Sequence, residues 1–202
     1  MMLGARTGAW AKSGKPLPYD AEVDWLESPD GTAYIDTGLV PNINDDICIT
    51  VSGQQATPLS TGGSRGGVGI TNWSDGPSWT SYFGNKQTIP PSRVFIIEQG
   101  VVYNLRINKD FFQCNDLKVD IGASSLSTSS KYVLFYDIWR NFSSYNCVRI
   151  FNFSIKGRCS MIPVRFTNEN GDSEGAMYDR VSGQLFRNQG TGALIIGPDK
   201  TT

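Results

Sequence analysis

Short runs of β-branched and aromatic residues recur along this chain from Tyr19 onward, and Gly, Pro, Asn, Asp or Ser residues separate them. No segment keeps the period of an amphipathic helix over a dozen residues. The strand candidates are "AEVDWLES", "TAYIDTG", "DICITVSG", "GGVGIT", "WTSYFG", "RVFIIEQ", "VVYNLRI", "FFQCN", "LKVDIG", "KYVLFYDIW", "NCVRIFNFSIKG", "CSMIPVRFT", "GAMYDRV" and "ALIIG". We therefore predict an all-β fold, a two-sheet antiparallel β-sandwich of jelly-roll type.

The segment "CVRIFNFSIKG" shows the alternation that such a sheet requires. Cys147, Ile150 or Phe151, Phe153 and Ile155 form an apolar face, whereas Arg149, Asn152, Ser154 and Lys156 form a polar one. One residue breaks the alternation between these sets, which predicts a β-bulge.

Charge and composition exclude several functions. The 18 basic and 19 acidic residues are interspersed, so we expect neither nucleic acid nor an anionic membrane as a partner. No apolar run approaches the length of a membrane span. The chain contains no histidine, which excludes Ser-His-Asp and Cys-His nucleophiles and His-containing zinc sites.

The four cysteines, Cys48, Cys114, Cys147 and Cys159, lie far apart and form no CxxC pair. A zinc knuckle is therefore disfavoured. Since most of them lie in apolar strand-like runs, we favour free buried thiols, with disulfides as the alternative.

Residues 1–18 are rich in small residues, Gly and Lys, and end in "KPLP". We predict an extended arm over 1–18, one domain over 19–199 and a short tail over 200–202. The alternative for the arm is a disordered leader. It contains no apolar run long enough for a signal peptide, so we expect no export by that route.

Near the other end, "MYDRVSGQLFRNQGTGALIIGPD" contains two glycine-bearing turns between apolar runs. A phosphate-binding loop requires a following GK[ST] and a helix, and neither is present here. We predict a tight turn at Ser182 and Gly183, then a second turn at "NQGTG" that leads into the last strand.

The opening "LPYDAEVDWLESPDGTAYIDTGLVP" and the close "FSIKGRCSMIPVRFTNENGDSEGAMYDRVSGQLFRNQGTGALIIGPD" together resemble the concanavalin A-like lectin/glucanase domain, in its laminin G-like branch found in gut Bacteroides proteins and their phages. The resemblance spans Tyr19 to Asp199 and is carried by the two ends, since no motif supports it from about Asp45 to Ile138.

The segment "ARTGAWAKSGK" is similar to leaders of gut-phage virion proteins. The resemblance implies a non-enzymatic bacteriophage virion component: a head fibre, capsid decoration or tail fibre made in the host cytoplasm. Phage capsid or tail proteins would then bind the arm, with Leu3, Arg6 and Trp10 as anchoring candidates, and we expect a homo-oligomer. The alternative is a bacterial glycan-binding module unrelated to virions.

A further alternative is a retaining glycosidase, because "EVDWLE" matches the E-x-D-x-x-E pattern of laminarinase-type enzymes. Glu22 and Glu27 would be the catalytic pair and Asp24 would tune them, provided that a bulge brings both glutamates onto one face. We predict no enzymatic activity, because the motif lies at the start of the domain and one fold hosts many functions.

Glycan binding has its own candidates in "TNWSDGPSWTSYFGN", where aromatic rings lie among amides and carboxylates. The candidates are Trp73, Asp75, Trp79, Tyr82 and Asn85; the alternative is that Trp79 and Phe83 are core residues of a strand. A weaker set is Trp139, Arg140 and Tyr145. For metals, Asp45, Asp46 and Asp75 are available, but the EF-hand pattern is absent, so we predict no required metal or cofactor.

Overall fold

The computed structural model describes residues 16–29, 31–54, 57–61, 66–72, 79–88, 97–98, 100–136 and 147–201. The first nine strands are β1 (Ala21–Glu22), β2 (Leu26–Ser28), β3 (Ile35–Asp36), β4 (Ile47–Gln54), β5 (Leu59–Thr61), β6 (Val68–Asn72), β7 (Trp79–Phe83), β8 (Lys86–Thr88) and β9 (Val102–Ile107). The remaining strands are β10 (Phe111–Cys114), β11 (Leu117–Asp120), β12 (Tyr132–Leu134), β13 (Cys147–Ile155), β14 (Cys159–Thr167), β15 (Ser173–Asp179), β16 (Leu185–Arg187) and β17 (Ile195–Ile196).

These strands form two antiparallel sheets. The larger sheet has the order β11-β10-β9-β4-β13-β14-β15-β16, with β1, β2 and β17 joined to it, and the smaller sheet has the order β3-β12-β5-β6-β7-β8. Within the described ranges no helix is long and apolar enough to cross a bilayer. The predicted all-β, two-sheet antiparallel sandwich is confirmed.

The main core lies between the two sheets. Ile49 and Phe153 enter it from the larger sheet, and Ile70 and Trp79 enter it from the smaller one. In strands such as β7 and β9 buried side chains alternate with more exposed ones, so one face of the strand packs into this core.

The irregularity predicted in "CVRIFNFSIKG" is present. The register between β13 and β4 shifts between Ile150 and Asn152, so Phe151 is the extra residue of a bulge. Beyond the shift, Phe153 and Ile155 are buried and Asn152 is exposed, as the alternation predicted.

The two ends that carry the family resemblance are bonded to each other. Glu27 and Leu26 pair with Ile195 and Ile196, and the Lys200 N–H donates to the Glu22 carbonyl. Residues 22–27 therefore run antiparallel to 195–200. β1 also pairs with β14, and β2 with β13, so this opening segment lies between two strands of the larger sheet.

The "NQGTG" turn is a structural corner. A Cβ added at Gly190 would overlap the Thr32 carbonyl, and one added at Gly192 would overlap the Thr32 side chain. Asn188 fixes the approach, because its Oδ1 accepts a hydrogen bond from the Tyr34 N–H at 3.0 Å. Glycine is thus needed here for close backbone contact rather than for anion binding.

The predicted turn at Ser182 and Gly183 is organised by a buried carboxylate. Asp179 accepts hydrogen bonds from the backbone N–H groups of Ser160, Val181 and Ser182, and from the Ser182 hydroxyl at 2.6 Å. Burial alone would raise the pKa of Asp179, but these hydrogen bonds together hold it below its ordinary value. Gly183 has a φ of 74°, as the turn prediction required.

A second, smaller cluster lies on the outer side of β14 and β15. Tyr19 joins Val164 and Phe166 there, and Leu17 packs against the cluster. The packed part of the chain thus includes Leu17, although the sequence placed the start of the domain at Tyr19.

Cys114 and Cys159 are free and buried, and burial raises the pKa of both thiols to about 11. The prediction of free buried thiols is confirmed for these two residues. It is wrong in one respect for Cys48, which is free but exposed, because Ile47 and Ile49 take the inward positions of β4. The Cys147 side chain lies outside the described part of the structure.

Candidate functional site

The outer surface of the larger sheet carries a row of polar side chains on three neighbouring strands. Asn104 of β9 and Asn152 of β13 lie on either side of Thr50 of β4 in the strand register. The Thr50 hydroxyl is 2.9 Å from Asn104 Oδ1, and Asn152 Nδ2 donates to Thr50 Oγ1 at 3.0 Å. Residues paired directly across neighbouring strands point to the same side of a sheet, so Asn104, Thr50 and Asn152 share one face.

The next row lies two residues along each strand. It consists of Lys118, Gln113, Arg106, Cys48, Ser154 and Ser160. We use the term polar face for the surface made by Asn104, Thr50, Asn152, Gln113, Arg106, Cys48 and Ser154.

Arg106 is the charged residue of the polar face, and Asp46 holds its guanidinium in place. Its guanidinium donates to both carboxylate oxygens of Asp46, at 2.7 and 2.5 Å, and Asn108 contacts the same carboxylate. The hydrogen bond from Arg106 lowers the pKa of Asp46, and burial opposes this to a lesser degree. The pair is neutral overall, so it adds donors and acceptors without adding net charge.

Two aromatic rings flank the polar face, one on each side. The Lys118 ammonium lies 4.0 Å from the centre of the Phe111 ring, and Arg106 lies 5.2 Å from it. On the other side the Arg149 guanidinium lies 4.2 Å from the Trp25 ring and also binds Glu27 at 2.5 Å. Each ring is thus stacked against at least one cation in this structure.

Amide and hydroxyl groups in a row, with aromatic rings at the sides, can form hydrogen bonds with sugar hydroxyls. The sequence alternation placed Asn152 outward but could not reveal the row, because strand neighbours are not encoded locally. The signal that was available is the outward position of polar residues in "DICITVSG" and "VVYNLRI".

The glycan-binding candidates predicted from the sequence lie in different environments in the structure. Trp79 is 0% exposed and packs edge-on against Tyr103, with the ring centres 6.5 Å apart. Its ring is not available to stack on a sugar, so Trp79 is corrected from a binding candidate to a core residue, and Phe83 is likewise buried. Trp73 and Asp75 lie outside the described residues.

Tyr82 and Asn85 make structural contacts on the smaller sheet. The Tyr82 hydroxyl lies 3.2 Å from Ser60 Oγ, and its ring covers Gly69, where a Cβ would overlap it. The Asn85 amide bonds both the hydroxyl and the backbone N–H of Ser124 at 3.2 Å. Neither residue belongs to the polar face.

The anchoring candidates Leu3, Arg6 and Trp10 and the weaker glycan set Trp139, Arg140 and Tyr145 all lie outside the described residues.

The carboxylates of "EVDWLE" are held by different partners. Arg180 donates to both oxygens of Glu22, at 2.7 and 2.9 Å, whereas Glu27 binds Arg149. Residues 22–27 pair one-to-one with 195–200, and five residues of such extended chain cover roughly 16 Å. A retaining glycosidase needs its two carboxyl groups about 5 to 5.5 Å apart around one sugar. The geometry therefore does not fit that alternative.

The two described aspartates of the metal set also have protein partners. Asp45 binds Arg158 and the Tyr132 hydroxyl, and Asp46 binds Arg106. Among the described residues, no three His, Cys, Asp or Glu side chains are grouped as metal ligands would be.

Comparison with protein-family models, with curated proteins and with solved structures gave no match to this chain. The family resemblance thus stays a prediction from the sequence.

Proposed function

We propose that this chain is a non-enzymatic bacteriophage virion component, a head fibre, capsid decoration or tail fibre, whose lectin-like domain binds surface glycans through the polar face. The observation that supports the binding role is the hydrogen-bonded row of Asn104, Thr50 and Asn152 across three strands. Neighbouring strands lie about 4.8 Å apart, so the row extends over about 10 Å. That length allows contact with consecutive sugar units.

The composition of the polar face favours uncharged sugars. Arg106 is neutralised by Asp46, and Arg149 at its border is neutralised by Glu27. The row of Asn104, Thr50 and Asn152 consists of two amides and a hydroxyl, which can both donate to and accept from sugar hydroxyls.

The non-enzymatic part rests on the carboxylates. Glu22 and Glu27 each form an ion pair with a different arginine, so the two carboxylates are held apart rather than facing one sugar. The virion part rests on the similarity of "ARTGAWAKSGK" to phage leaders.

A glycan array with the purified full chain tests the binding role. The wild type should bind a neutral glycan, and the double variant Asn104→Ala, Asn152→Ala should lose about fivefold or more in affinity, because each lost hydrogen bond is worth about 0.5 to 1.5 kcal/mol. Asn170→Ala is the matched control, since Asn170 is an exposed amide outside the polar face. Equal binding by the double variant and the wild type would refute the assignment of the site.

Quantitative mass spectrometry of purified phage particles tests the virion role. A reproducible number of copies per particle is expected, and deletion of residues 1–15 should abolish incorporation while the domain stays folded. The deletion stops before Leu17 because that side chain packs in the second cluster. Absence from particles, with glycan binding retained, would leave the bacterial glycan-binding module.

The glycosidase alternative has its own assay. We expect the wild type to release no reducing sugar from β-glucans. Release that is abolished by Glu22→Gln or Glu27→Gln would overturn the non-enzymatic proposal.

A further inference from the structure

Strand β11 lies at one end of the larger sheet, and within the described ranges it pairs with β10 alone. Its side chains are accessible: Leu117 is 51% exposed, and Lys118 and Asp120 are exposed. A strand at a sheet edge presents backbone N–H and C=O groups to any strand that fits them.

The hydrogen bonds of the hairpin determine which groups face this edge. Ile121 N–H donates to the Asp110 carbonyl at 2.7 Å, and Asn115 N–H donates to the Asn104 carbonyl at 2.8 Å. Because donors alternate in direction along a strand, the odd-numbered residues of β11 face β10. The N–H and C=O groups of Lys118 and Asp120 therefore face the open edge.

This arrangement limits how two copies of the chain can pair. A two-fold axis requires antiparallel pairing of β11 with itself, and each hydrogen-bonded pair must join residues whose groups face the edge. Within β11 these residues are Lys118 and Asp120. Pairing Lys118 with Lys118, or Asp120 with Asp120, places like charges opposite each other, which destabilises a sheet.

The remaining register is self-complementary. It places Lys118 of each copy opposite Asp120 of the other, twice, with the two Val119 residues on the axis. We propose that two copies of this chain associate through antiparallel β11 edges in this register, forming one sheet that continues across the dimer. This inference goes beyond glycan binding and does not depend on it.

The dimer joins the polar faces of the two copies, because Lys118 lies in the same row as Gln113 and Arg106. The paired stretch is three residues long on each side, from Lys118 to Asp120, and belongs to the small, transient class of interfaces. We therefore expect association in the high micromolar range and above. Two joined polar faces would bind a repeating glycan with higher avidity than one.

Sedimentation equilibrium of the full chain over a concentration series tests the proposal. The wild type should associate, whereas Lys118→Glu and Asp120→Lys should each stay monomeric. A mixture of these two variants should associate again, and so should the double variant Lys118→Asp, Asp120→Lys. Lys200→Glu, an exposed charge reversal away from the edge, is the control and should behave as the wild type.

Cross-linking tests the register. Residues directly opposite in a non-hydrogen-bonded pair have Cα atoms about 4.5 Å apart, which is within the range of a disulfide. Val119→Cys should thus form a covalent dimer under mild oxidation, and Val181→Cys, in a turn elsewhere, should form much less. A monomeric wild type at the highest concentration would overturn the proposal. So would a dimer that survives both charge reversals and gives no cross-link at position 119.

Discussion

Replacing Asp45 by Asn should be among the most damaging single substitutions of a polar residue in this protein. Asp45 is 3% exposed and lies where the chain enters β4. Both of its oxygens accept hydrogen bonds from Arg158 Nη1, at 2.8 and 2.7 Å, and Oδ2 also accepts from the Tyr132 hydroxyl at 2.9 Å and the Asn42 N–H at 2.8 Å. The network joins the two sheets, because Tyr132 belongs to β12.

The loss of stability expected for Asp45→Asn depends on how deeply Asp45 and Arg158 are buried. Removing one member of a fully buried ion pair costs about 3 to 5 kcal/mol, whereas exposed pairs contribute at most about 1 kcal/mol. The Arg158 side chain is 32% exposed, so water partly solvates the charge that Asp45→Asn leaves behind. We expect a loss of about 2 to 3 kcal/mol in the free energy of unfolding. For a chain of this length that corresponds to a fall of about 4 to 12 °C in Tm.

Asp36→Asn is the matched control. Asp36 lies on β3, next to β12, and its ion pair with Lys131 is longer, at 3.4 Å, and more exposed. Its Oδ1 accepts from the Gly38 N–H, and an amide oxygen can keep that contact. The expected loss is below about 1 kcal/mol.

Urea unfolding followed by tryptophan fluorescence measures both variants, and an unchanged m-value would show that the comparison is valid. The variant Tyr132→Phe removes the hydroxyl that donates to Asp45 and keeps the ion pair between Asp45 and Arg158, so it measures the contribution of the hydroxyl alone. Because Tyr132 and Asp45 share one network, the two substitutions should be non-additive. Equal stability of Asp45→Asn and Asp36→Asn would refute the argument that burial makes this network important.

Three further outcomes are expected. The folded-state pKa of Asp179 is lowered, so its contribution is present above the unfolded value near pH 4 and is lost as pH falls through the folded value. Asp179→Asn should thus lower stability at pH 7 and flatten its decline in acid, and parallel pH curves for variant and wild type would contradict this. Gly190→Ala should cost about 2 kcal/mol or more in urea unfolding, because the new Cβ meets the backbone of Thr32; an unchanged midpoint would show that the corner adapts. Leu17→Ala should cost about 1 kcal/mol, since a half-buried side chain leaves the second cluster, and no change in Tm would place Leu17 outside the folded unit.

Local sequence pattern was sufficient for the class of fold. The runs around β4, β9 and β13 alternate, and β14 is a long run of mostly apolar residues, so these strands and the bulge in β13 could be predicted. Strands β5 and β8 were missed, because "LST" and "KQT" are too short to show a period, whereas β16 follows the predicted turn at Ser182 and Gly183. Register with a neighbouring strand defines β5 and β8.

The candidate site was far less predictable. "TNWSDGPSWTSYFGN" has the composition of a sugar-binding loop, yet burial decides whether an aromatic ring is a platform or a core residue. On β7, Trp79 lies on the buried face, and Thr80 and Tyr82 lie on the opposite face. Packing against the other sheet decides which of the two faces is buried. The pairs Glu22 with Arg180 and Asp45 with Arg158 join residues more than a hundred positions apart.

Sequence pattern alone predicted an all-β fold, a bulge in the segment that forms β13, and glycine turns that are structural corners rather than a phosphate loop. These features depend on alternation and on backbone freedom, which are local properties. The row formed by Asn104, Thr50 and Asn152 and the pairing of the two ends of the domain become visible in the folded chain alone. Such neighbours are set by strand order and register, which arise from packing the whole sheet rather than from any single segment.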